Sequence, residues 1–390
     1  MRGPVPRQRP RPDRLRILHV SEVHWGGVVS LLDHFVTQQV RAGHEVHVLA
    51  PESMRRWSGV ERHRWAVDRS HPQSVLRAVH QLRHTVHEVH PDVVHLHSFV
   101  AGFLGRLPEP RAGQAPVPVV YQPHAWSTEL FTGPVFSHAV RTLEQRAAVR
   151  TNLLVTNCHD EVESGRRLGV WLPFRELGVA VDLDRFHPVP ESERRVARER
   201  LGVDADRLVL VLGRIARQKG QDQLVGAWEE HRPSATLLAL VGPGETGPLV
   251  ANAPTQWQKS IRAFGESRDV RTWLWAADLL LLPSRYETVG VAVAEAMATG
   301  LPVVATAVDG VAEVLTDGSM SPAGCVVERG DMRSLLAAAE RRLAQPQVWR
   351  AESRAARARA EALFRPEAVA GRLETAYREA IERCALGVAR

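Results

Sequence analysis

Residues 283–306 read PSRYETVGVAVAEAMATGLPVVAT, and the rest of the chain is best read outward from them. The apolar run Asp278–Leu282 ahead of the stretch is a candidate strand. A loop carrying Glu287 follows, then a helix from about Val289 to Gly300 that is rich in alanine and valine, then a second apolar strand at Val303–Ala305. Strand, helix and strand in so few residues make a βαβ unit, whose two strands must run parallel. In such sheets ligands gather outside the strand C-termini, where a following helix offers backbone N–H groups with no intrahelical partner. The amides of Thr288, Val289, Gly290 and Val291 would stand there. Glu287 would accept hydroxyls at the mouth, and Glu295, one to two turns deeper, would accept a ribose diol. Two glutamates at this spacing also suit a solvated helix face, so their meaning depends on what surrounds them.

Moving back toward the N-terminus, Leu208–Leu212 is a strand followed at once by Gly213-Arg214-Ile215-Ala216-Arg217-Gln218-Lys219-Gly220. A loop in that place presents Arg214, which can grip phosphate oxygens bidentately, and Lys219, a compact point charge. All but two of the 50 basic residues are arginine, so a lysine here is unusual for this chain. Thr236–Val241 and Cys325–Val327 complete a second α/β series. The first half repeats the rhythm. A strand at Leu15–Val20 leads through Gly26-Gly27 into a helix with Val28, Leu31, Leu32, Phe35, Val36 and Val40 at helical spacing, stopped by Gly43. Glu45–Ala50, Val93–His97, Pro118–Gln122 and Leu153–Thr156 are further strands. Ser74–His90 is a second amphipathic helix with an apolar stripe of Val75, Val79, Leu82, Val86 and Val89. The expected fold class is α/β, two Rossmann-like doubly wound domains facing across a cleft. Domain limits follow: a disordered basic tail at 1–14, an N-terminal domain at 15–187, a C-terminal domain at 188–365, and a helix at 366–390 crossing back to the first. The boundary is set at Phe186-His187-Pro188-Val189-Pro190, ahead of a charged helix at Glu191–Leu201. The stripe Val369, Leu373 and Tyr377 would pack the final helix.

Length and composition narrow the function classes. A chain of 390 residues, 44% hydrophobic and 24% charged, is an ordinary two-domain globular protein. Apolar runs reach nowhere near the ~18 residues of a membrane span. The Met1–Arg14 segment has no apolar stretch behind it, which argues against a secretory signal. Cys158, Cys325 and Cys384 are too scattered for a disulfide framework or zinc site and fit a reducing cytoplasm. The net charge of +6 comes with no arginine–aromatic stripe, which argues against nucleic acid as a partner. A basic tail is compatible with peripheral contact at the inner face of an anionic membrane. Gly26-Gly27 lacks the GxGxxG pattern, and Pro51 stands where a nicotinamide-binding fold needs an acid. Histidines 80, 84, 87 and 90 read as a solvated helix flank. His95 and His97 share a strand face and are not taken as ligands. His124, at a strand end in Tyr121-Gln122-Pro123-His124-Ala125-Trp126, faces the reaction space.

Taken together, "GRIARQKG", "PSRYETVGVAVAEAMATGLPVVAT" and "VDGVAEVLTDG", in register across the chain, resemble glycosyltransferase family 4 on the GT-B fold. The resemblance implies retaining transfer of a hexose-type sugar from an NDP-sugar co-substrate, a UDP-sugar on family habit, with no required cofactor and no metal. Hydroxyl acceptors in bacterial glycolipid, polysaccharide or glycosylated natural-product synthesis would follow. It implies that Arg214 and Lys219 neutralise the donor diphosphate, Glu287 orients the sugar, and Glu295 holds the ribose. Gly26 and Gly27 approach the phosphates, Thr288, Val289 and Gly290 line the donor, and Gly265 and Glu266 flank the base. His124 matches the family's histidine beside the sugar. Two departures stand out. Val289 replaces an aromatic residue usual two positions after the first glutamate, and Gly178-Val179-Ala180-Val181-Asp182 replaces Asn-Gly-Val-Asp in the linker. A GT-B epimerase and a non-catalytic binding protein are the alternative readings, and the sequence leaves acceptor, linkage and oligomeric state open.

Overall fold

The computed structural model describes residues 14–67, 72–107, 116–126, 134–231, 233, 235–247, 249 and 260–387. The expected basic tail lies outside them apart from Arg14. Two compact units form: Met1–Thr156 with Glu161–Leu177 and Glu367–Arg390, and Asn157–Asp160 with Gly178–Pro366. The division falls at Leu177/Gly178, ahead of the expected prolyl boundary. The reason is packing. Val179, Ala180, Val181 and Phe186 are buried, and the Val181 amide donates to Phe364 O at 2.9 Å. Arg357 Nη1 donates to Phe186 O at 2.9 Å, so the stretch to Phe186 belongs to the second unit.

The first unit is built on a 7-stranded parallel sheet of β1 (Arg16–Ser21), β2 (Glu45–Ala50), β3 (Val60–Arg64), β4 (Val93–His97), β5 (Val119–Gln122), β6 (Leu153–Thr156) and β7 (Phe174–Glu176). Its order is β3-β2-β1-β4-β5-β6-β7. The second carries β8 (Arg207–Leu212), β9 (Thr236–Val241), β10 (Ile261–Gly265), β11 (Leu279–Leu282), β12 (Val303–Thr306) and β13 (Gly324–Val327) in the order β10-β9-β8-β11-β12-β13. Central strands such as β9 and β11 are buried along their whole length, which is why they read as unbroken apolar runs. Trp228, Leu224 and Leu335 close one face of the second sheet. Leu82, Ala101 and Trp126 do so in the first.

Three strands were not expected: β3 (VERHR), β7 (FRE) and β10 (IRAFG). All are edge strands with one neighbour and much exposed surface, so their composition is polar. The helix after Gly290 runs Val291–Ala298, two residues later than expected at its start. Helix α1 spans Gly27–Arg41 and α2 spans Pro72–Val89. His80, His84 and His87 in α2 and His90 just beyond it are exposed, His84 pairing with Glu88 at 3.5 Å. Its stripe differs from the expected one: Val75 is exposed, while Ala78, Leu82 and Val89 are buried.

The C-terminal helix Pro366–Ala385 packs in the first unit with Val369, Leu373 and Tyr377 buried. Arg372 Nε donates to Leu177 O at 2.9 Å. Among the described residues no helix is long and apolar enough to cross a membrane. In each sheet the chain order reverses at one place, between β1 and β4 and between β8 and β11. Those are the switch points where open parallel sheets bind ligands.

Candidate active site

At the second unit's switch point the loops after β8 and β11 are locked together. A Cβ on Gly220 would lie 1.9 Å from Pro283 O, at a φ of +69°, so only glycine allows this approach. The Arg285 amide donates to Gln218 O at 2.8 Å. The Arg285 guanidinium grips Asp222 with two bonds of 2.7 Å. That grip is the first cause of a lowered Asp222 pKa. The clamp seats Lys219, at the end of the short 3-10 turn Arg217–Lys219, against Glu287. Their Nζ and Oε1 lie 2.5 Å apart. Gln218 Nε2 donates to the same carboxylate oxygen at 3.1 Å. Glu287 is only 7% exposed, so its charge is matched by the lysine rather than by water. Its Oε2 hangs 3.1 Å from where a Cβ on Gly290 would sit, over the start of the Val291–Ala298 helix. No side chain caps that helix by hydrogen bond.

Arg214 is exposed at this loop, with Nη2 3.3 Å from Gln218 Oε1. Val289 is 1% exposed and turned inward, 3.2 Å from where a Cβ on Gly310 would sit. Thr288 is half-buried beside Glu287. Glu295 is half-buried in the helix, and burial pushes its carboxyl up to about 7, with the charge of Arg185 working the other way. Gly265 ends β10 with φ +68° and accepts the Gly242 amide at 2.7 Å, and Glu266 beyond it is exposed.

The first unit pairs buried carboxylates with backbone amides and lines up neutral imidazoles. A Cβ on Gly26 would meet open space, so its φ of +79° sets the need for glycine, and helix α1 begins just after it without a side-chain cap. The helix Ser98–Gly105 after β4 is different. Glu22 accepts the Val100 and Ala101 amides at 3.0 and 3.1 Å and so fills that helix start. His124 and Ala125 both have positive φ, 58° and 118°, an unusual pair for non-glycine residues and a mark of a constrained turn. The Ala125 amide bonds Glu161 Oε1 at 3.0 Å, and Trp126 Nε1 donates to Glu161 O at 2.7 Å, which hold the turn.

Behind His124 runs a chain of imidazoles. His97 Nδ1 meets His124 Nε2 at 3.0 Å, His19 Nδ1 meets His97 Nε2 at 2.9 Å, and His19 Nε2 meets Gln39 Oε1 at 2.8 Å. Burial lowers all of these rings: His19 to about 4, His124 to about 3, and His95 and His97 well below the usual value. They are therefore neutral, with one N–H each. The Gln39 oxygen only accepts, so His19 carries its proton on Nε2. Its Nδ1 then accepts from His97 Nε2–H, and His97 Nδ1 accepts from His124 Nε2–H. His124 is left with a lone pair on Nδ1. This polarity follows from placing the Gln39 carbonyl on His19, the orientation that lets its Nε2 reach Tyr377 Oη at 3.4 Å. Tyr377 Oη in turn donates to His95 Nδ1 at 2.8 Å.

The structure thus brings Lys219 and Glu287 together, with Arg214, Thr288 and Gly290 on the same loops. It places His124, Gly26 and Gly27 in the other unit. Sequence reasoning missed Gln218, Asp222 and Arg285, and also His19, Gln39 and Glu161. The one available signal was histidine in buried strands, His19 lying opposite His95 in the β1–β4 register.

Residues 206–345 match the family of glycosyl transferases group 1, and residues 26–179 match the glycosyl transferase 4-like domain. A D-inositol 3-phosphate glycosyltransferase of Nocardioides sp. is 31% identical over 329 residues, 75% of this chain and 68% of that protein. The chain belongs to glycosyltransferase family 4. The Lys219–Glu287 pair lies in the first matched stretch and the His124 turn in the second. A relative of the same name from Xylanimonas cellulosilytica is 33% identical over 245 residues, and that alignment spans 58% of each chain. Sucrose-phosphate synthase from Thermosynechococcus elongatus superposes with a TM-score of 0.80 at 21% identity, covering 97% of this chain and 100% of that one. Anabaena HepE in complex with UDP and glucose gives 0.77 at 19%, covering 93% and 98%. These likenesses show the fold of the glycosyltransferase, GT-B.

Proposed function

We propose that this glycosyltransferase moves a hexose-type sugar from a UDP-sugar to a hydroxyl acceptor with retention at the anomeric carbon, in bacterial glycolipid, polysaccharide or glycosylated natural-product synthesis. The observation that carries the reading is the Lys219–Glu287 pair clamped at the β8/β11 switch point. Support for the donor comes from HepE, whose complex holds UDP and glucose. Support for the acceptor class comes from relatives named D-inositol 3-phosphate glycosyltransferase and from a lipopolysaccharide core mannosyltransferase of Rhizobium meliloti, 32% identical over 169 residues.

In this reading the donor diphosphate sits on Arg214, Lys219 and the uncapped start of the Val291–Ala298 helix. The bond from the anomeric carbon to the β-phosphate oxygen breaks, and its electrons pass to the diphosphate, whose charge the two cations offset. The acceptor hydroxyl attacks from the same face and gives its proton to that departing oxygen. Glu287, freed in part from Lys219 by the incoming phosphate, accepts sugar hydroxyls. Glu295 accepts the ribose diol. His124 presents a neutral Nδ1 acceptor to a sugar hydroxyl. Catalysis is then positioning and electrostatic stabilisation, with no cofactor. Gly265 and Glu266 flank the base. We place the enzyme in the cytoplasm, working at the inner face of the membrane when the acceptor is a lipid.

The test is transfer from UDP-sugars to a panel of inositol phosphate, lipid and oligosaccharide acceptors, with the anomeric configuration of the product read by NMR. Product of the donor's own configuration, lost in Lys219→Ala and Glu287→Ala proteins that still fold, supports the reading. Full activity in both variants, or an inverted product, overturns it.

A further inference from the structure

The outer edge of the first sheet carries one three-residue pattern twice: Glu45-Val46-His47 in β2 and Glu61-Arg62-His63 in β3. The strands run parallel with His47 opposite Glu61 and Leu49 opposite His63. Alternation of side chains then puts Glu45, His47, Glu61 and His63 on one face. His47 Nδ1 lies 3.1 Å from His63 Nε2 and 3.6 Å from Glu61 Oε2. A tetrahedral divalent ion with bonds of about 2.0–2.1 Å holds its ligand atoms about 3.3–3.4 Å apart. Both spacings bracket that value.

The far nitrogen of His47 supplies a second, independent observation. His47 Nε2 meets Glu45 Oε1 at 3.1 Å, and that carboxylate oxygen is itself held by Arg16 Nε at 2.7 Å. A carboxylate there keeps the proton on Nε2 and leaves the Nδ1 lone pair facing His63 and Glu61. This is how metal-binding histidines are oriented by their outer partners. Exposure is graded to suit an ion arriving from water. His47 is 4% exposed, His63 is half-buried, and the Glu61 side chain is 68% exposed. His19, His95 and His97 also bring three nitrogens close enough for a metal. They are wholly buried, and both nitrogens of His19 and of His97 are already in hydrogen bonds.

We propose that His47, His63 and Glu61 form a binding site for a zinc-class divalent cation, with water completing the shell. Two imidazoles and one carboxylate favour zinc or cobalt over magnesium or calcium. The ion would clip β3, the outermost strand, to β2. Because the site needs both strands in register, binding stabilises the fold. The site lies apart from the switch point and does not depend on the proposed transfer reaction.

The full chain, stripped with a chelator and dialysed, would be titrated with Co2+ and then back-titrated with Zn2+. One equivalent of Co2+ should give the intense visible absorption of four-coordinate cobalt, which Zn2+ removes, and Zn2+ should raise the Tm. His63→Gln and Glu61→Gln should each abolish the band. Glu61 is exposed, so its substitution should leave the fold intact, which circular dichroism checks. Glu45→Gln should weaken binding by about 10- to 100-fold. Absence of one-equivalent binding in the wild-type protein overturns the proposal. So does an intense band that survives both ligand substitutions, which would assign the metal elsewhere, the buried histidine trio first.

Discussion

The two switch points solve the same problem with opposite electrostatics. In the second unit the groups are charged and paired: Lys219 with Glu287 at 2.5 Å and Arg285 with Asp222 at 2.7 Å. In the first, carboxylates serve backbone amides (Glu22, Glu161), and the row from Gln39 through His19 and His97 to His124 is kept uncharged by burial. The difference teaches where each half can act. A site for a diphosphate needs fixed positive charge. Under the proposed transfer, an oxocarbenium-like centre is better served by an oriented acceptor that carries no positive charge.

The largest effect should come from breaking the charged half. Glu287→Ala or Lys219→Ala should lower transfer by about 100- to 1,000-fold, measured as kcat/KM on any acceptor that supports turnover. Next comes the scaffold beneath it. Gly220→Ala forces a Cβ against the Pro283 carbonyl in a left-handed backbone, so it should cost on the order of 1–3 kcal/mol by denaturant unfolding. Activity should fall with it, because the two loops must part.

The neutral half is sharpened by acid. A histidine in the unfolded chain takes up a proton near pH 6.5, whereas folded His19 and His124 resist until about 4 and about 3. Between those limits the unfolded state binds more protons. Stability is therefore full above pH 6.5 and falls as pH drops, by about 1.4 kcal/mol per pH unit for each such ring. Urea unfolding from pH 7 to 4.5 should show that slope, and His19→Gln should make it shallower. An unchanged slope in the variant would show that His19 does not titrate in this way. Nitrogen-15 imidazole spectra should also find His124 protonated on Nε2; an Nδ1–H ring would reverse the polarity derived for the chain.

The smallest effect concerns Glu295, the one carboxyl among the described residues held near 7. A carboxylate accepts both hydroxyls of a diol, while the protonated form must spend a donor. UDP affinity should rise by about tenfold as pH passes from 6 to 8, and Glu295→Gln should flatten that profile.

How much of this could be read beforehand differs between the halves. The central strands were legible because parallel strands covered on both faces are apolar throughout, as in Thr236–Val241 and Leu153–Thr156. The edges β3, β7 and β10 were not, because one neighbour and a wet side remove the apolar run. Arg214, Lys219, Glu287 and Glu295 stood out by residue type and by their place after strands. That Lys219 and Glu287 pair with each other was hidden, since the contact joins residues 68 positions apart and depends on Gly220 meeting Pro283. The imidazole row was half visible. His95 and His97 shared a face on the page, but their link to His19, Gln39 and Tyr377 needs the β1–β4 register and the return of the C-terminal helix.

The most direct test is calorimetric titration of the full chain with UDP, comparing wild type with the Arg214→Ala/Lys219→Ala double variant. Saturable one-to-one binding that the double substitution abolishes is the result expected if the charged half holds the donor. Binding that survives the substitution unchanged, or no binding by the wild-type protein at millimolar UDP, would contradict it.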